Sequence, residues 1–77
     1  MNNYDDYLTL IENYLDSFNY EYQSHDNQIE IYSINENIVI INIRDNELVI
    51  TSQRGQDKFF KIDNSFFEKL GSLLTNF

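Results

Sequence analysis

The sequence predicts an α+β fold, in which an antiparallel β-meander of four to five strands is flanked by an N-terminal and a C-terminal helix packed on one face (α-β-β-β-β-α). Apolar residues recur at helical spacing near both ends of the chain, and short isoleucine-rich segments separated by turn residues lie between them. Connections this short force antiparallel pairing, because a parallel crossover needs roughly a dozen residues. A length of 77 residues predicts a single domain.

The first helix is predicted over residues 3–18. Asn3 is a suitable N-cap, and the large apolar side chains fall on one arc that should face the core. These residues are Tyr4, Tyr7, Leu8, Ile11, Tyr14, Leu15 and Phe18. Asp5, Glu12 and Asp16 fall close together on the opposite side. The outer face of this helix is therefore predicted to be an acidic ridge.

Five segments between the helices are predicted as strands. Because the first is very short, the predicted sheet has four strands without it or five with it. The segments are Tyr20–Gln23, Ile29–Ile34, Ile38–Arg44, Glu47–Gln53 and Lys58–Ile62. The turns between the last four are Asn35-Glu36-Asn37, Asp45-Asn46 and Arg54-Gly55-Gln56-Asp57. The Ile38–Arg44 segment is apolar on both sides, which suits a central strand. An exposed apolar patch on the open face of the sheet would mark an interaction site.

The last helix is predicted from Asp63, which serves as its N-cap, to about Asn76. Its buried stripe is predicted to consist of Phe66, Phe67, Leu70, Leu73, Leu74 and Phe77. Gly71 interrupts this helix, although glycine in a helix interior is unfavourable by about 1 kcal/mol. We therefore expect Gly71 to permit the close approach of a neighbouring element, such as the first helix.

The charge of the chain is strongly asymmetric. Five basic and thirteen acidic residues give a net charge of −8. Residues 1–43 hold eight acids and no lysine or arginine, whereas residues 44–77 hold five acids and five bases. The whole net charge therefore lies in the first half of the chain. All six tyrosines also precede residue 33.

Composition and motifs predict neither an enzyme nor a metal or cofactor site. The chain has no cysteine, which rules out disulfides, thiolate nucleophiles and cysteine-based zinc sites. Ser24-His25-Asp26 contains the residue types of a hydrolase triad, but side chains of adjacent residues diverge, so we interpret it as a polar turn before Ile29. The glycines Gly55 and Gly71 lie in no phosphate-binding motif.

No apolar run approaches the roughly 18–20 residues of a membrane span, and the acidic N-terminus lacks the basic region of a signal peptide. We therefore expect a cytoplasmic protein without a membrane partner. Direct binding of nucleic acid is disfavoured, because affinity for phosphates comes from lysine and arginine and a chain of net charge −8 is repelled. A surface of spaced carboxylates is instead complementary to proteins that bind nucleic acid.

The candidate partner-binding residues follow from this complementarity. The acids are Asp5, Glu12, Asp16, Glu21, Asp26, Glu30 and Glu36, and the tyrosines that could anchor a protein partner are Tyr20, Tyr22 and Tyr32. The alternative for the acids is a solvated surface that keeps the protein soluble. For the tyrosines Tyr4, Tyr7 and Tyr14, a place in the core is the better interpretation.

A short, cysteine-free chain rich in Asn and Ile, with a base-free run from Met1 to Ile43, resembles the phage-encoded acidic inhibitors of bacterial defence. These are anti-CRISPR and anti-restriction proteins, several of which mimic DNA. The resemblance is to a class and rests on no motif. It implies a bacterial host cell and a basic nucleic-acid-binding protein, such as a nuclease, as partner. The charge-neutral second half departs from the class, so mimicry would be one-sided.

The other interpretation is a small adaptor, immunity or chaperone-like protein that binds a protein partner through its sheet or its tyrosine-rich face. A homodimer formed through an exposed edge strand fits either interpretation. Salt separates the two functions, because binding by mimicry weakens steeply with ionic strength whereas adaptor binding does not.

Overall fold

The computed structural model describes residues 3–32, 38–44 and 47–75, with side chains from Asp6 onward. Its elements are α1 (Asn3–Ser17), β1 (Glu21–His25), β2 (Gln28–Tyr32), β3 (Ile38–Arg44), β4 (Glu47–Ser52), β5 (Gly55–Phe59) and α2 (Asn64–Thr75). The strands form one antiparallel sheet in the order β1-β2-β3-β4-β5. The predicted α+β class is confirmed: one helix precedes the meander in the chain and one follows it. The sheet has five strands.

Strand register places the core on one face of the sheet. Ile29 lies opposite Ile41, and Ile41 lies opposite Ile50, so the three side chains share a face and all are fully buried. The core comprises Ile11, Leu15, Ile29, Ile31, Val39, Ile41, Ile43, Leu48, Ile50, Phe66, Leu70, Leu73 and Leu74. Because α1 and α2 both contribute to this cluster, both helices cover the same face, as predicted.

The end of α1 differs from the prediction. Phe18 was expected in the buried arc, but its side chain is 60% exposed. The helix ends at Ser17 because Asn19 adopts a left-handed conformation with φ 60°. The Asn19 amide donates to the Asp16 carbonyl at 3.1 Å and the Tyr20 amide to the Leu15 carbonyl at 3.0 Å, the two bonds of a Schellman cap. The chain therefore turns away before Phe18 can reach the core.

The first hairpin turns later than predicted. His25 pairs with Gln28, so Asp26-Asn27 forms a two-residue turn, with Asp26 in the left-handed region at φ 51°. The predicted strand Tyr20–Gln23 is thus Glu21–His25, and the interpretation of Ser24 and His25 as turn residues is wrong. Aspartate tolerates the left-handed conformation that this turn uses, and its position sets the end of the strand.

The last strand begins earlier than predicted. Ser52 pairs with Gly55, which makes Gln53-Arg54 the turn and Gly55–Phe59 the strand. The predicted turn over residues 54–57 and the predicted strand Lys58–Ile62 are therefore wrong. Gly55 has φ 117°, a conformation that favours glycine, and it follows the turn directly. The predicted turns Asn35–Asn37 and Asp45-Asn46 lie outside the described residues.

The start of α2 follows the prediction. The Asp63 carboxylate accepts a hydrogen bond from the Phe66 amide at 3.2 Å, and the Asp63 carbonyl accepts one from the Phe67 amide at 3.2 Å. Asp63 is therefore the N-cap of the helix. The buried face of α2 holds Phe66, Leu70, Leu73 and Leu74, while Phe67 is half-buried and the predicted Phe77 lies outside the described residues.

Gly71 meets the first helix, as the sequence predicted. A Cβ atom added at Gly71 would lie 2.9 Å from the hydroxyl oxygen of Tyr14 in α1. The atom it meets belongs to a side chain and not to the backbone of the neighbouring helix. Gly71 therefore accommodates the Tyr14 hydroxyl and leaves the helix backbones unconstrained by each other at this point.

Replacing Gly71 with alanine in a Tyr14→Phe background is expected to raise the free energy of unfolding by about 1 kcal/mol, because alanine is the better helix former and the phenyl ring lacks the opposing hydroxyl. With Tyr14 intact the gain should be smaller, since the new methyl group must displace the hydroxyl. Urea denaturation of the four proteins measures this coupling. Equal gains in both backgrounds would show that the hydroxyl does not constrain Gly71.

Candidate protein-binding surface

The charge asymmetry of the sequence is also an asymmetry of the folded molecule: one side is acidic, and the other holds both acids and bases. Because sheet order follows chain order, β1 and β2 form one side of the sheet, and two side-chain hydrogen bonds join α1 to β1 on that side. No lysine or arginine occurs in these three elements. The strands β4 and β5 form the other side, where Phe66 and Lys69 of α2 contact Phe59 and Asp57 of β5. Most of the lysine and arginine belongs to this part of the chain. We call the described candidate acids of the first side the acidic edge, namely Glu12, Asp16, Glu21, Asp26 and Glu30.

Two acids of the acidic edge lie between α1 and the edge strand β1. The Tyr22 hydroxyl donates to an Asp16 carboxylate oxygen at 3.0 Å, and the Ser24 hydroxyl donates to a Glu12 carboxylate oxygen at 3.0 Å. The prediction that Glu12 and Asp16 stand on the helix face opposite the core is therefore wrong. Helical spacing placed them near each other, but the position of β1 decides which flank they occupy. Because hydroxyl donors are neutral, the negative charges of Glu12 and Asp16 remain uncompensated by these bonds.

Two further acids of the acidic edge lie on the open face of the sheet, which no described helix covers. Glu21 pairs with Tyr32 across β1 and β2, and Gln23 pairs with Glu30. The Tyr32 hydroxyl donates to a Glu30 carboxylate oxygen at 3.3 Å. Glu21, Glu30 and Tyr32 thus form one group. Acids therefore lie on both faces of the edge strand β1, with Asp16 and Glu12 on the helix side and Glu21 and Glu30 on the open side.

The remaining predicted residues are less closely grouped. Asp26 lies in the turn between β1 and β2 and is exposed. Tyr20 is half-buried after the end of α1, with its ring 6.4 Å from that of Phe18. Glu36 and the side chain of Asp5 lie outside the described part of the chain. Tyr22 faces the helices, so it would affect partner binding indirectly, by holding the Asp16 carboxylate through its hydrogen bond.

Three ion pairs among the described residues join side chains from the second half of the chain. Arg44 pairs with Glu47 at 3.9 Å, Lys61 with Asp63 at 3.9 Å, and Lys69 with Asp57 at 3.6 Å. All three pairs join residues of the second half, where they compensate local acids. The sequence holds no lysine or arginine before Arg44, so α1, β1 and β2, the elements that carry the acidic edge, contain neither residue type.

The open face also carries an apolar strip. Ile38 is 47% exposed, Ile40 is half-buried, and Val49 on the same face is buried. Ile38 pairs with Tyr32, so the strip adjoins the tyrosine that donates to Glu30 of the acidic edge. The sequence showed that β3 is apolar on both sides, and the structure places Ile38 and Ile40 on the face that no described helix covers.

A groove between α1 and α2 was not predicted. It has a volume of about 360 Å³ and is lined by Tyr14, Asn64, Phe67, Glu68, Gly71 and Ser72. The Tyr14 ring stacks on Phe67 with centroids 4.7 Å apart, and Phe18 lies 4.9 Å from Tyr14 on the solvent side. Sequence reasoning assigned these aromatic residues to the core. The glycine within α2 was the available signal for a groove.

Three tyrosines have raised pKa values. Burial raises the pKa of Tyr14, with a smaller effect of neighbouring Tyr20. Burial also raises the pKa of Tyr22, and its hydrogen bond to Asp16 and the nearby carboxylates add to the effect. The pKa of Tyr32 is raised by partial burial and by Glu30. The carboxylates of the acidic edge therefore favour the protonated, donating form of Tyr22 and Tyr32.

Stability is expected to fall as the pH rises above about 10, where unfolded tyrosines ionise. The raised pKa values of Tyr14, Tyr22 and Tyr32 keep these side chains protonated in the folded state, which then binds more protons than the unfolded state. Their contribution is fully present below that pH and is lost above it. Urea denaturation across this range should show a shallower fall for Tyr22→Phe. Titration of all six tyrosines together at their ordinary pKa would contradict this expectation.

The triad residue types do not converge. Ser24 points to the helix side, where it binds Glu12, while His25 is the next residue of the strand and points to the open face. Asp26 lies in the turn. Within the described ranges, no group of three or more His, Cys, Asp or Glu side chains is arranged to hold a metal ion.

Comparison of the chain with protein-family models, with curated proteins and with solved structures gave no match. Neither α1 nor α2, the helices of the described chain, has the length and apolar character required to cross a membrane.

Proposed function

We propose that this protein binds a basic, nucleic-acid-binding protein through its acidic edge and acts as an inhibitor by occupying the surface on which nucleic acid would lie. The single observation that carries this proposal is the sheet order, which gathers the base-free half of the chain on one side. Acids on both flanks of β1 then present a strip of negative charge to a partner. The activity is one of binding and not of catalysis.

Electrostatics favours a basic protein as the partner. A net charge of −8 repels phosphate backbones and attracts surfaces that carry lysine and arginine. Such surfaces are found on nucleases and other proteins that bind DNA or RNA. The finer proposal, which follows the class resemblance, is a nuclease of a bacterial defence system. In that case the protein acts in the cytoplasm of the host cell.

Affinity capture from a bacterial lysate tests the proposed function. The tagged protein is loaded with lysate and eluted first with increasing salt and then, in a parallel column, with duplex DNA. We expect a basic nucleic-acid-binding protein that leaves at moderate salt and is displaced by DNA. A partner that is retained at high salt and ignores DNA would contradict the proposal.

A second candidate function is that of an adaptor that binds a protein through the open face of the sheet. The specific observation in its favour is the exposed apolar strip, in which Ile38 is 47% exposed beside Tyr32. This binding would tolerate salt. It would be lost on Ile38→Thr, a change that suits a strand and removes apolar area, whereas binding through the acidic edge would survive it.

A further inference from the structure

The groove between α1 and α2 is lined by Tyr14 of α1 and by five residues of α2. Asn64, Glu68 and Ser72 recur at intervals of four residues, so they lie along one face of α2. Leu10 and Phe18 stand four residues on either side of Tyr14, the α1 residue that lines the groove. Both are substantially exposed, at 47% and 60%. The Tyr14 ring therefore faces the more polar residues of α2 across the groove, and two exposed apolar side chains lie near it along α1.

The Tyr14 hydroxyl lies against Gly71 in this groove. Glycine is unfavourable within a helix, and a Cβ atom at Gly71 would lie 2.9 Å from the Tyr14 hydroxyl, a side-chain atom. The two helix backbones therefore do not require a glycine at this point, and the glycine accommodates the Tyr14 hydroxyl.

The groove offers aromatic rings and a carboxylate together. Phe18 is exposed and lies against Tyr14, which stacks on Phe67. Glu68 lines the groove from α2, and the lysine beside it, Lys69, is directed to Asp57 of β5 at 3.6 Å. Arginine suits this combination better than lysine, because its planar guanidinium both stacks on aromatic rings and pairs with a carboxylate.

We propose that the groove between α1 and α2 receives an arginine-bearing segment of the basic partner, with a guanidinium group stacked on the exposed Phe18 ring beside Tyr14 and Glu68 as counter-charge. This inference rests on the proposed function and deepens it, since the acidic edge attracts any basic surface whereas the groove selects arginine. The partner is then held at two places, the edge strand and the helix pair.

A pair of short peptides tests the inference, one of alternating arginine and alanine and the other with lysine in place of arginine. Each is titrated into isotope-labelled protein at about 0.15 M salt, which screens exposed charges. We expect the arginine peptide to bind about two- to fivefold more tightly than the lysine peptide. Its chemical-shift changes should centre on Phe67, Glu68 and Gly71.

Two variant pairs separate the groove from the acidic edge. Glu68→Gln and Phe18→Ala change exposed side chains, and each should reduce or abolish the preference for arginine. Glu21→Gln and Glu30→Gln should weaken both peptides equally and leave the preference intact. Equal binding of the two peptides with shifts only at the acidic edge would overturn the groove and leave the proposed function standing. Failure of both peptides to bind the unmodified protein would contradict both.

Discussion

Replacing Phe66 with alanine is expected to lower the free energy of unfolding by about 3–5 kcal/mol. The Phe66 side chain is fully buried, and it contacts Phe59 of β5 and Phe67 edge-on, with ring centroids 5.3 and 5.4 Å apart. It therefore joins α2 to the last strand of the sheet. A domain of 77 residues is typically stable by roughly 4–12 kcal/mol, so this one change is expected to remove much of the stability.

Phe60→Ala is the matched control for Phe66→Ala. It removes the same atoms from a side chain that is 72% exposed, and we expect a change within about 0.5 kcal/mol. Urea denaturation followed by circular dichroism measures both variants. Equal losses for Phe66 and Phe60 would contradict the packing of α2 on the core face of the sheet.

Neutralising three acids of the acidic edge is expected to weaken binding to the captured partner by about 3- to 150-fold, at about 0.2–1 kcal/mol for each exposed charge. The changes are Asp16→Asn, Glu21→Gln and Glu30→Gln, which keep the shape of each side chain and one acceptor oxygen. The bonds from Tyr22 to Asp16 and from Tyr32 to Glu30 can therefore persist. The dependence of the affinity on salt should decrease at the same time.

A control of equal charge change distinguishes local from global electrostatics. Glu47→Gln, Asp57→Asn and Asp63→Asn also remove three negative charges, but from acids that form ion pairs on the other side of the molecule. Asparagine remains a suitable N-cap at position 63. We expect this variant to bind nearly as well as the unmodified protein. If both triple variants lose the same affinity, net charge and not the acidic edge determines binding.

Much of the fold could be predicted because its signals are local. The isoleucine-rich segment of β3 is bounded as predicted, and the apolar periodicity of α2 identifies its buried face. The errors arose where one residue in a left-handed conformation decides a boundary. Asn19 ends α1 before Phe18, and Gly55 follows the turn before β5. Several residues near each boundary tolerate such a turn, and hydrogen bonding in the folded chain selects among them.

The candidate site could be predicted less completely than the fold. The charge asymmetry is a property of the sequence, and short connections make successive strands neighbours, so an acidic side follows from both. The orientation of Glu12 and Asp16 toward β1 could not be predicted, since spacing within a helix does not specify which flank meets a sheet edge. The groove depends on how far α2 stands from Tyr14, a distance that only packing determines.

Displacement of DNA tests the central claim most directly. Labelled duplex DNA is bound to the captured partner, and its fluorescence anisotropy is followed as the unmodified protein is added. The proposed inhibition predicts complete release of the DNA, with an apparent dissociation constant for DNA that rises in proportion to the concentration of the protein. DNA that stays bound while the protein also binds, forming a ternary complex, would contradict occupation of the nucleic-acid surface.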